Sequence, residues 1–140
     1  MSLIRDLQES IHEWAIRKEW RGPKAVGRPL VADLMLFVSE IAEALEELRK
    51  SDNPHTYYET YSVEFNGVKF KNVSREQAQA LGYNPDLMIG KPEGLGPEFA
   101  DLAIRLLETC EEYGIDLEFE IERKMAYNEG REIRHGGLLM

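Results

Sequence analysis

The sequence predicts a mainly α fold, four main helices with a β-hairpin inserted between the second and third. Three observations carry this. Apolar residues recur at helical spacing in stretches starting near residues 2, 30, 97 and 117. Gly and Pro gather between those stretches. The dipeptide Asn66-Gly67 separates two short alternating runs, which is the strongest local hairpin signal.

The first helix is expected over about residues 2–19, with Leu3, Leu7, Ile11, Trp14 and Ala15 on one face and Ser2 as its cap. Arg21-Gly22-Pro23 ends it. The second should run from Pro29 or Leu30 to Lys50, with a stripe of Leu34, Val38, Ile41, Leu45 and Leu48. Within it, Leu34 to Val38 is apolar all round, as in a helix buried on several sides. Glu40, Glu43 and Glu47 project away from the stripe.

The hairpin should pair Phe65 with Val68, Glu64 with Lys69 and Val63 with Phe70, apolar pairs on one face and the ion pair on the other. Ser74 to Leu81 reads as a short helix with a Ser74–Gln77 capping box. Gly82 to Gly96 reads as a loop. The third main helix should begin at Pro97 and stop at Gly114. The fourth should follow Asp116 and run to about Glu129, and a basic, irregular tail should follow from Arg131. A single domain is expected over 1–140, with the insertion at about 51–93.

A chain of 140 residues can bury one sizeable core. With 17 basic and 26 acidic residues the net charge is −9, so the basic face that duplex nucleic acid needs is missing. A phosphorylated small molecule stays compatible, because a metal ion inverts the local field. Cys110 is the only cysteine, which leaves neither an internal disulfide nor a zinc cluster and suits a reducing cytoplasm. Neither a signal peptide nor a membrane-spanning run is read.

Two carboxylate pairs stand out, Glu40-x-x-Glu43 on the second helix and Glu98-x-x-Asp101 on the third. Spacing of i, i+3 puts both members of a pair on one face. Glu-rich helices carry such pairs on solvated faces too, but both of these abut core-like sequence. If the helices pack antiparallel, four carboxylates converge, and they repel unless a cation neutralises them. An all-oxygen set suits a hard ion, Mg²⁺ or Mn²⁺. Lys124, Asn128 and Arg131, with Tyr127 alongside, share one face of the last helix and carry donors suited to phosphate. The same residues also complement a helix dipole.

This order, ending in Arg131-x-x-x-His135-Gly136-Gly137, resembles the MazG-like all-α nucleoside triphosphate pyrophosphohydrolases. The resemblance covers about residues 30–50 and 94–137, with weaker similarity in 1–29. It implies a MazG-like four-helix bundle. It also implies Mg²⁺ held by Glu40, Glu43, Glu98 and Asp101, and cleavage of a triphosphate to a monophosphate and pyrophosphate. Lys124, Tyr127, Asn128 and Arg131 would bind substrate, and Trp20 would lie against the base unless it is a core or interface tryptophan. Three departures stand out. Ser39 replaces the first Glu of the family motif, so that Glu47 or a metal-held hydroxide would act as base; the spacer between the carboxylate pairs is longer; and Leu138 stands where a Lys often follows the glycines.

Other classes compete. A di-iron bundle wants Glu-x-x-His, which the chain lacks. A non-catalytic interaction or nucleotide-binding module is the alternative that Ser39 keeps open. An oligomer is expected, since the all-round apolar segment leaves surface that one short chain does not cover; the resemblance implies a homodimer or homotetramer.

Overall fold

The computed structural model describes residues 2–131 and corrects the expected architecture. The chain is not a four-helix bundle carrying a hairpin; helix dominates, but the described residues form five helices and a three-stranded antiparallel sheet. In chain order these are α1 (Leu3–Arg17), α2 (Leu30–Lys50), β1 (Tyr58–Phe65), β2 (Val68–Val73), α3 (Arg75–Ala80), a 3-10 turn (Pro85–Leu87), β3 (Lys91–Glu93), α4 (Leu95–Glu112) and α5 (Leu117–Glu129). Arg134, His135, Gly136, Gly137 and Leu138 lie outside the described residues. Among the described residues no helix is long and apolar enough to cross a membrane.

The correction centres on β3. Lys91-Pro92-Glu93 has the composition of a loop, yet it pairs with Tyr58–Thr60 along the second edge of β1, giving the order β2-β1-β3. An edge strand tolerates Pro because its outward side needs no N–H. Helix α4 also begins at Leu95, before Pro97, which is harmless because the first four N–H groups of a helix lack intrahelical partners.

The described residues fall into two compact units, 34–103 and 2–33 with 104–131. In the first, the hairpin pairs as expected: Phe65 with Val68, Glu64 with Lys69, Val63 with Phe70. Asn66 and Gly67 both take positive φ (52° and 76°), as a type I′ turn demands. The register then slips. Tyr61 faces Val73, so Lys71 and Asn72 together oppose Ser62 in a β-bulge, with Asn72 left-handed at φ 57°. Val63, Val73 and Ala78 make the core, with Leu81, Tyr83 and Met88 against it. The capping box of α3 is present: Ser74 Oγ accepts from the Gln77 N–H at 3.1 Å, and Gln77 Oε1 accepts from the Ser74 N–H at 2.9 Å. The Tyr83 hydroxyl ties α3 back to the hairpin, accepting from the Glu64 N–H at 3.0 Å and donating to the Glu64 carbonyl at 2.6 Å.

The other described residues do not enclose the apolar stripe of α2, contrary to the expectation of a helix buried on several sides. Leu34, Val38, Ile41, Leu45 and Leu48 are each 41–55% exposed, while Glu40 and Glu47 on the other side are buried.

The second unit is held by buried charge. Arg21, Asp33 and Glu108 are 6%, 1% and 3% exposed. The Arg21 guanidinium donates to both Glu108 oxygens and, at 2.8 Å, to Asp33 Oδ1. Arg28 Nε reaches the same Asp33 oxygen at 2.6 Å. Burial works against the Arg21 charge, but Glu108 and Asp33 outweigh it and hold the guanidinium above its ordinary pKa. Gln8 bridges to α4 and the following loop, donating to Glu111 at 2.8 Å and to the Ile115 carbonyl at 2.9 Å. Removing one partner of a buried pair strands the other's charge. Arg21→Met should therefore cost about 3–5 kcal/mol in urea unfolding. A loss below ~1 kcal/mol would mean that Asp33 and Glu108 are hydrated, like a surface pair.

Candidate metal centre

Helix α2 sets Glu40, Glu43 and Glu47 on one face at i, i+3 and i+7. The first turns of α4 supply Glu98 and Asp101, and β3 supplies Glu93. Glu40, Glu47, Glu93 and Glu98 are all buried, at 5%, 8%, 7% and 5% exposure. Their placement depends on Gly94, whose φ is +125° and where a Cβ would sit 2.3 Å from the Thr56 carbonyl oxygen. Only glycine allows β3 to turn into α4 against that backbone.

The carboxylates form two overlapping groups. Glu40, Glu43 and Glu98 each place an oxygen within 4.8 Å of the others, and so do Glu47, Glu93 and Glu98. Glu98 belongs to both, and its buried Oε2 has no hydrogen-bond partner. Burial, then the charge of Glu43, followed by Asp101 and Glu93, pushes the Glu98 carboxyl up to about 7. Burial also raises Glu43, reinforced by Glu40. Several oxygens crowd together, one of them buried and unpartnered, and no nitrogen or sulfur joins the two groups. That donor set fits a hard divalent cation.

Protein donors already steady the second group. The Tyr58 hydroxyl lies 2.9 and 3.0 Å from the two Glu47 oxygens, and Lys50 Nζ is 3.0 Å from Glu47. Lys91 Nζ is 3.1 Å from Glu93, and Thr60 Oγ1 donates to Glu93 at 3.0 Å. Tyr58 and Glu47 hold the Lys50 ammonium well above its usual range, and Glu93 raises that of Lys91.

Beside the cluster opens a cavity of about 980 Å³, with Glu43, Glu47, Glu93 and Glu98 in its wall. Its lining holds seven carboxylates against three cationic side chains, so a bare anion is repelled there.

Of the sequence-derived ligands, the structure gathers Glu40, Glu43 and Glu98. Asp101 is exposed, one turn beyond Glu98; its charge reaches Glu98, but it stands outside both three-carboxylate groups. Ser39 is exposed on α2. Trp20 and the α5 residues belong to the other unit. There Trp20 packs edge-to-face on Trp14 with centroids 4.7 Å apart, under the Arg105 guanidinium. Lys124 and Arg131 flank the Tyr127 ring at 5.5 and 5.8 Å, and Asn128 is exposed on the same helix.

Sequence reasoning did not raise Glu93, Lys91 or Lys50. Glu93 and Lys91 lie on a strand with a loop's composition, and no local periodicity marks them. Compared with known proteins, the chain matches no family model, no curated protein and no solved structure.

The raised Glu98 carboxyl makes a pH prediction. It titrates near 7 in the fold and near ~4.3 when unfolded, so the folded state holds the proton more tightly. Stability from this group is complete below ~4.3 and is lost as pH rises through about 7. In metal-free buffer, thermal melts of wild type and Glu98→Gln should nearly coincide at acid pH. The variant should become the more stable as pH rises from ~4.3 to about 7, with the gap level above that; if the cluster holds a cation, millimolar Mg²⁺ reverses that order. A gap independent of pH would refute the crowded-carboxylate account.

Proposed function

We propose that this chain is a Mg²⁺-dependent nucleoside triphosphate pyrophosphohydrolase that releases a monophosphate and pyrophosphate. The observation that carries it is Glu98, shared by two carboxylate groups, with a buried unpartnered oxygen beside a substrate-sized cavity. Glu40, Glu43 and Glu98 would hold the cation, with Asp101 close enough to add its charge. When bound, the cation offsets the carboxylate repulsion and polarises phosphate oxygens; Mn²⁺ satisfies the same donors. Because the wall is acidic, the triphosphate enters as its cation complex rather than as a bare anion.

The chain's own residues divide the remaining work. Glu47, held in place by the Tyr58 hydroxyl and Lys50, accepts a proton from the water that attacks the α phosphorus. It takes the part that Ser39 cannot. Lys91 offers a cation to the departing pyrophosphate.

The partner we propose for the exposed α2 stripe is a second copy of the chain. Leu34, Val38, Ile41, Leu45 and Leu48 follow a 4-3-4-3 spacing, the repeat that seams one helix to another.

Two experiments test these readings. Product analysis with a panel of ribo- and deoxyribonucleoside triphosphates should give Mg²⁺-dependent monophosphate and pyrophosphate. Glu40→Gln should reduce turnover on the order of a hundredfold or more while the fold is kept, and Asp101→Asn, which removes only a neighbouring charge, should reduce it less. Diphosphate and phosphate as products would refute the bond assignment. No turnover by folded protein would favour a non-catalytic nucleotide-binding module and make Ser39→Glu the next variant. For the oligomer, light scattering should find wild type associated and Leu45→Glu shifted to monomer. A monomeric wild type at high concentration would remove the second copy.

A further inference from the structure

The inserted segment 51–93 contributes most of the cavity beside the carboxylates, and its side chains there are of three useful kinds. The first is aromatic. Tyr57 lies in the wall with 58% of its surface exposed, a flat ring that the described residues leave largely uncovered. Every nucleobase has a π face, so such a ring accepts any of them.

The second is an amide. The β-bulge singles out Asn72, taking it out of the ladder in a left-handed conformation. Bulges of this sort re-aim a side chain, and Asn72 lines the same cavity. Its amide offers both a donor and an acceptor, the pair that reads a base edge. The third is cationic. Lys91 lies in the wall within electrostatic reach of Glu43 and Glu98, where phosphates on the metal would pass.

We propose that segment 51–93 is the base-selecting element of the site: the nucleobase lies on the Tyr57 ring with its edge at the Asn72 amide, and the phosphates run past Lys91 to the Glu98 cluster. This rests on the pyrophosphohydrolase reading and assigns its substrate recognition to the insertion. A single cavity then holds the carboxylates that take the cation and the groups that take the base, and its volume of about 980 Å³ suits a whole nucleotide.

The test is calorimetric titration of the full chain with α,β-imido deoxynucleoside triphosphates of the four bases, in Mg²⁺. Tyr57→Ala should weaken every base by roughly tenfold. Tyr57→Phe should bind like wild type. Asn72→Gly keeps the left-handed backbone and deletes the amide, so it should flatten the ranking among bases. Both positions are exposed, and unchanged melting would show each variant folded. If wild type binds these analogues and both Tyr57→Ala and Asn72→Gly match it in affinity and ranking, the base-selecting role falls while the hydrolase reading stands. If wild type binds none of them in Mg²⁺, both fall.

Discussion

Helix α2 buries Glu40 and Glu47 and leaves Leu34, Val38, Ile41, Leu45 and Leu48 at the surface, an inversion of the order that a water-facing amphipathic helix obeys. Two physical demands follow from that single choice. Buried carboxylates must be neutralised, or their repulsion is charged against the fold. Exposed apolar surface on this scale asks for a cover. On the proposed reading, a cation at the Glu98 cluster would answer the first demand, and a second copy of the helix would answer the other.

The two units treat buried acid differently. Around Asp33 and Glu108 the chain supplies its own countercharge, Arg21 and Arg28, at hydrogen-bonding distance. That network is closed and locks the N-terminal loop onto its unit. Around Glu98 the compensation is partial. Lys50, Lys91, Tyr58 and Thr60 satisfy Glu47 and Glu93, but one Glu98 oxygen is left over and its carboxyl is pushed into the neutral range. The closed network serves stability, and the open cluster keeps a carboxyl of raised pKa beside a cavity.

The insertion is therefore more than a decoration on a helical protein. Its third strand delivers Glu93 and Lys91, its bulge aims Asn72, and the tight passage at Gly94 sets the distance from that strand to Glu98. Each device is a backbone feature, so a small change in the insertion would move several site groups together.

Whatever depends on near neighbours in the chain was legible from residues alone. The helical repeat placed α1, α2 and α5, Asn66-Gly67 set the register at the hairpin tip, Ser74 and Gln77 announced the capping box, and the i, i+3 pairs put Glu40 beside Glu43. Helix periodicity and turn chemistry act over a few residues, so they survive in the sequence. What required the tertiary structure was non-local. Lys91-Pro92-Glu93 became a strand only because β1 had a free edge; Glu98 joined Glu93 and Glu47 only through the turn at Gly94; and the α2 stripe proved exposed only once the other described residues were seen not to cover it. Pairing, convergence and burial are fixed by which distant segments meet, and no local pattern encodes that.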